Sequence, residues 1–146
     1  MVKNIYDGVV QLNQEQRAIY KPNLDTYTQK LDLLDREIHS LLSSINRRYF
    51  IVYHPTFAYF ARDYNLNMIA IEEEGKEPSA ADITRVIELA KKYAIKTVFA
   101  SPQFNPQSAQ IISREIGGKV VFFDHLSQNY VENMRNFTIE LVKALK

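Results

Sequence analysis

The chain contains no cysteine. That removes disulfides, thiolate zinc sites and cysteine nucleophiles together, and it suits an extracytoplasmic protein that avoids thiols. No apolar run approaches the ~18 residues that a membrane-spanning helix needs. The opening Met1-Val2-Lys3-Asn4 has no apolar signal core behind it, so the polypeptide as written is expected to be soluble and not exported by a conventional signal. An excess of charge of one sign is also missing. Eighteen basic against seventeen acidic residues leave a net charge of +1, which gives no electrostatic case for a nucleic-acid partner. The only basic pairs, Arg47-Arg48 and Lys91-Lys92, read as solvated helix ends. There is no G-x-S-x-G elbow, no phosphate loop and no dinucleotide fingerprint, so catalysis has little support.

What is present suits one globular domain. A chain of 146 residues can bury a proper core but is short for two ordinary domains, and its 46% hydrophobic and 24% charged residues argue against disorder. The first 46 residues read as helix. Ile5, Val9 and Leu12 mark a short helical piece, and Asn13 with Gln16 resembles a capping box opening the next. Leu24, Tyr27, Leu31, Leu34, Ile38, Leu41 and Ile45 recur at spacings of three and four. A helix from Asn23 to Ile45 would be about 35 Å long. Pro22 is expected to kink the chain or restart the helix there.

From residue 47 onward, strand-like and helix-like segments alternate. Tyr49–Tyr53 is a continuous apolar run of the kind that forms a strand buried on both faces. A helix can follow over Pro55–Asp63, then a strand at Met68–Ile71. Ser79-Ala80-Ala81-Asp82 is a capping box before a helix reaching about Tyr93. Thr97–Ala100 is the third strand. Asn105-Pro106 opens the next helix and Gly117-Gly118 closes it. Val120–Phe123 is the fourth strand, and a last helix covers Tyr130–Leu145. Strands joined through helices imply crossover connections. The fold class expected is therefore α/β, with a four-stranded parallel sheet flanked by helices and one long helix at the amino end.

Ligands of open parallel sheets bind beyond the carboxyl ends of the strands. His54 follows the first strand there and Asp124 follows the fourth. Imidazole and carboxylate are both good ligands for zinc or manganese, but a tight zinc site wants about four ligands. Taken singly, each also reads as an ordinary loop residue or helix cap. His125 adjoins Asp124; because successive side chains point in different directions, it is read as an exposed loop residue. His39 is placed at the solvent edge of the long helix. Glu72, Glu73 and Glu74 could hold a hard cation, but on a loop flanked by Gly75 and Pro78 they are read as solvated. Tyr53, Phe57, Tyr59 and Phe60 flank His54 and are read chiefly as packing.

In order and spacing these segments resemble the zinc/manganese-type solute-binding proteins of ABC importers over nearly the whole chain. Asn23 to Ile45 looks like that family's backbone helix joining two lobes. Phe50-Ile51-Val52-Tyr53-His54-Pro55-Thr56-Phe57-Ala58-Tyr59-Phe60-Ala61 is similar to the segment opening its second lobe. Glu77-Pro78-Ser79-Ala80 and Pro102-Gln103-Phe104-Asn105-Pro106 are further landmarks. Val120 to Leu126 resembles the strand that ends in an acidic ligand, and Tyr130 to Asn136 the start of the last helix.

The resemblance implies a carboxy-terminal lobe that contributes two of four metal ligands, His54 and Asp124. A histidine in the third ligand position goes with zinc in this family, and glutamate there with manganese. It implies zinc as the cargo, with manganese second, a membrane permease as partner, and a periplasmic or membrane-anchored location for the full-length protein. The amino-terminal lobe with its two histidines, the histidine-rich loop and the export signal have no counterpart here. The half-site is expected to bind zinc weakly, micromolar or poorer. An apolar face left by the absent lobe is expected to favour a homodimer or an exchanged helix. The competing readings are a small α/β enzyme using His54 and Asp124 as acid and base, and an interaction module pairing through the long helix.

Overall fold

The computed structural model describes every residue except Glu73 and Glu74. Two of the three carboxylates considered above therefore lie outside the described residues. The chain divides into two compact units, Met1–Ile38 and His39–Lys146, and the division falls within a long helix.

The first unit is helical. Helix α1 spans Val2–Leu12, a 3-10 turn covers Gln14–Gln16, and helix α2 runs from Arg17 to Ser43. The long helix is present, but it begins before Pro22, and the expected restart does not occur. Pro22 sits in the second turn, where its missing N–H forfeits a single i→i−4 bond, and the helix continues through it. Asn13 does precede the 3-10 turn, but its side chain makes no capping hydrogen bond. The expected box with Gln16 is therefore absent. Ile5, Leu12, Ile19 and Leu33 are left exposed on this unit.

The second unit carries a four-stranded parallel sheet in the order β2-β1-β3-β4. Its strands are β1 (Tyr49–Val52), β2 (Asn67–Ala70), β3 (Thr97–Ala100) and β4 (Lys119–Phe122). The helices are α3 (Ala58–Asp63), α4 (Ala80–Lys92), α5 (Gln107–Glu115) and α6 (Tyr130–Leu145). Ile51 lies beside both Ile69 of β2 and Val98 of β3. Central strands β1 and β3 are buried almost throughout, as their unbroken apolar runs require, whereas the flanking β4 is not.

Alternation along the strands splits the core into two layers. On one face Ile51, Val98 and Ala100 meet Val86 and Ala90 of α4 and Ala109 and Ile112 of α5. On the other, Phe137 of α6 gathers Phe50, Phe57, Phe60, Phe99 and Phe123 within 4.0–6.5 Å between ring centroids. The geometry includes both stacked and edge-on pairs, which add to plain area burial.

Two of the sequence-derived helix ends are built as expected. Ser79 and Asp82 exchange both hydrogen bonds of a capping box at the start of α4. After α5, Gly117 takes φ +60° while its own N–H and that of Gly118 bond back to Arg114 and Ser113. Gly118 has a second reason to be glycine: a Cβ there would stand 2.0 Å from the Lys96 carbonyl oxygen. Lys119 N–H bonds that same carbonyl, so the close approach starts the β3–β4 ladder.

Candidate metal centre

The order β2-β1-β3-β4 makes the connection direction reverse at β1. From β1 the chain goes first to β2, then back across β1 to β3. That switch point lies between β1 and β3, and parallel sheets open a crevice there beyond the carboxyl strand ends. The ladder runs one or two residues past the strands. Tyr53 N–H donates to Phe99 O, Glu72 N–H to Tyr53 O and Phe123 N–H to Ala100 O, at 2.8–2.9 Å. The backbone just before His54 is thus held from both sides, and four strand ends deliver Tyr53-His54, Glu72, Ser101 and Asp124-His125 to one edge of the sheet.

His54 is about one-third exposed, and its Nδ1 lies 3.1 Å from both carboxylate oxygens of Glu72. Glu72 is only 4% exposed. A carboxylate that is almost dry requires a partner, and His54 meets it with Nδ1–H, because an ionised carboxylate can only accept. In the neutral ring this leaves the lone pair on Nε2, the atom a cation would take. The reading of Glu72 as a solvated loop residue is therefore wrong. The sequence did carry a cue: Glu72 is the first residue after the buried Ile71, where the loop has not yet left the core. Phe104 stacks on the His54 ring at 5.0 Å. Burial, followed by the nearby charges of Glu72 and Glu77, holds the Tyr53 phenol above its ordinary 10.0, so Tyr53 is a neutral wall of the site.

Asp124 is exposed, two residues beyond β4. Its Oδ1 accepts from Gln103 Nε2 at 2.6 Å and from the Leu126 N–H at 3.0 Å, while its backbone carbonyl accepts from Asn133 Nδ2 at 2.8 Å. Both side-chain contacts fall on Oδ1, so Oδ2 can take a cation without breaking either. Among the described residues no hydrogen bond joins His54 to Asp124, and no three His, Asp or Glu side chains already converge on one point.

His125 was expected to be an exposed loop residue, and the structure corrects this. It is half-buried, with Nδ1 2.9 Å from Ser101 Oγ and its ring 6.5 Å from that of His54. The turn that presents Asp124 outward rotates the next side chain inward, so the alternation used to dismiss His125 is what places it. His39 is exposed, as expected, and lies edge-on to Tyr64 at 4.8 Å.

Comparison with known proteins gives a consistent picture. The profile of the family described as zinc-uptake complex component A, periplasmic, matches residues 1–144. The chain is 32% identical over 128 residues to the zinc-binding protein AdcA of Streptococcus pyogenes, covering 86% of this chain and 25% of that protein. It is 28% identical over 120 residues to the high-affinity zinc uptake system protein ZnuA of Bacillus subtilis, covering 81% and 38%. Among solved structures, a crystal structure of ZnuA superposes with a TM-score of 0.94 at 35% identity, over 99% of this chain and 56% of that one. A zinc-bound 138-173 deletion mutant of ZnuA gives 0.92 at 35% identity, over 99% and 55%. The chain spans between a quarter and about half the length of the curated relatives it matches.

Proposed function

This chain belongs to the zinc-uptake complex component A family, and from that membership we propose that it serves as the metal-binding lobe of a solute-binding protein of an ABC importer. In this reading His54, through Nε2, and Asp124, through Oδ2, contribute two of four ligands to a divalent cation. Residues 1–46 form the helical connection and residues 47–146 the ligand-bearing lobe. The working place is extracytoplasmic, and the partner of the whole protein is a membrane permease.

The observation that carries the reading is the buried Glu72 carboxylate on His54 Nδ1 at the sheet's switch point. A ligating histidine commonly gives its other ring nitrogen to a carboxylate, which fixes the tautomer and raises the basicity of the ligating atom. Few structural needs would place a nearly dry glutamate beside a part-exposed imidazole. Imidazole favours zinc, whereas manganese prefers oxygen donors, so zinc is the first cargo and manganese the second. Two ligands fall short of the four in a closed zinc site, and the affinity of this chain alone is accordingly weak.

The acid–base enzyme reading is less well supported, because Asp124 is engaged by Gln103 and Leu126 rather than by His54. The expected homodimer rests only on exposed apolar side chains, among them Ile5, Leu12, Ile19 and Leu33 in the helical unit and Tyr59, Phe122 and Leu126 in the second.

The test is calorimetric titration of the chain with zinc, wild type beside His54→Gln. Glutamine can still donate to Glu72, so the buried carboxylate keeps a partner, but its amide oxygen is a poor zinc ligand. Binding in the wild type and at least a tenfold loss in the variant is expected. Equal binding by both would overturn His54 as a ligand.

A further inference from the structure

We propose that His125 is a further metal ligand of this lobe, its Nε2 kept free for a cation by a directed chain of hydrogen bonds anchored at Asp124. The inference rests on the metal-binding reading above and adds a side chain to it.

The chain has one possible direction. Asp124 Oδ1, an acceptor only, takes an N–H from the Gln103 amide nitrogen at 2.6 Å. That turns the amide oxygen of Gln103 toward Ser101, whose hydroxyl donates to it. A serine hydroxyl has a single proton, and Gln103 has taken it. Ser101 Oγ must therefore accept from His125, at 2.9 Å, so the proton of that ring sits on Nδ1. In the neutral ring the lone pair is then on Nε2. Glu72 imposes the same tautomer on His54 by a separate route. Two histidines of one lobe are thus prepared alike, each with Nδ1 tied to the protein and Nε2 left to bind.

Their placement agrees. Both rings line a narrow cleft at the ends of β1 and β3, together with Ser101 and Phe57. Phe104 packs against both, 5.0 Å from His54 and 6.1 Å from His125. The ring centroids of the two histidines are 6.5 Å apart. Zinc holds imidazole nitrogen at about 2.0–2.1 Å, so binding draws the rings closer than this. Asp124 faces a different depression, shared with Asn133 and Asn136. It is the fixed end of the chain through Oδ1, while Oδ2 stays open to the ion.

Long-range proton–nitrogen spectra of the histidine rings test this on the wild-type chain, with zinc chloride as the probe and assignments from single His→Gln variants. Without metal, His125 is expected as the Nδ1-protonated tautomer. With zinc, the Nε2 resonances of both His54 and His125 should move to metal-bound positions while Nδ1 stays protonated. A shift at His54 alone overturns the role of His125 and leaves the proposed function standing. A shift at neither overturns both. Ser101→Ala, which cuts the chain without touching a ligand, should return His125 to a mixture of tautomers and weaken zinc binding about tenfold. An unchanged tautomer in that variant would also overturn the proposal.

Discussion

A carboxylate that is 4% exposed is tolerated only where something meets its charge, and at Glu72 that partner is His54. This pairing predicts a division of labour within the site. Glu72→Gln keeps the shape and can still accept from Nδ1, but removes the charge that makes His54 a stronger ligand. Zinc affinity should fall by about 10-fold or more, with the fold retained, and competition against a chelating dye would measure it. Unchanged affinity would mean that Glu72 only fills space. At this scale the sequence was read unevenly. His54 and Asp124 are legible because each directly follows an apolar run of strand length. Glu72 and His125 are not legible there, because their surroundings are set by contacts with partners eighteen and twenty-four residues away in the chain, His54 and Ser101. Local composition, a run of glutamates or a histidine after an aspartate, carries no trace of such pairings.

Among the elements, α4 offers the clearest check on electrostatics. The Ser79 hydroxyl and backbone N–H hold the Asp82 carboxyl below its ordinary 3.8, with a smaller push from Arg85. A carboxylate lowered on folding stabilises above its unfolded pKa and loses that contribution as pH falls through the lower folded value. The chain should therefore lose stability below about pH 4, and Asp82→Asn should be less stable than wild type at neutral pH but converge with it in acid. Urea denaturation at pH 7 and pH 3 measures both; a stability gap unchanged between the two would contradict the account. Elements were the most readable level of the sequence. The capping box at Ser79, the limits of α6 and β3, and the glycine stop after α5 were all visible because each is a local rule. Strands β1, β2 and β4 ended within a residue of expectation. Helix α2 starts earlier than the sequence suggests: Pro22 reads as a breaker, but in the second turn of a long helix it forfeits only one bond.

For the whole molecule, strand order decides where chemistry can occur. Strands joined through helices imply crossovers and a parallel sheet from sequence alone, but not the order β2-β1-β3-β4, since no local signal says which strand lies beside which. That order puts the switch point between β1 and β3, and hence His54 opposite Ser101 and within reach of His125. If the folded lobe holds zinc through His54 and Asp124, as proposed, its unfolding is linked to the metal. A ligand that binds only the folded state, present at 100 times its Kd, stabilises by about 2.7 kcal/mol. The measurement is thermal unfolding with zinc, then with excess chelator, for the wild type and for the double variant His54→Gln, Asp124→Asn. The account predicts a zinc-dependent rise in Tm that the chelator reverses and the double variant lacks. Equal shifts in both proteins, or none in the wild type, would contradict it.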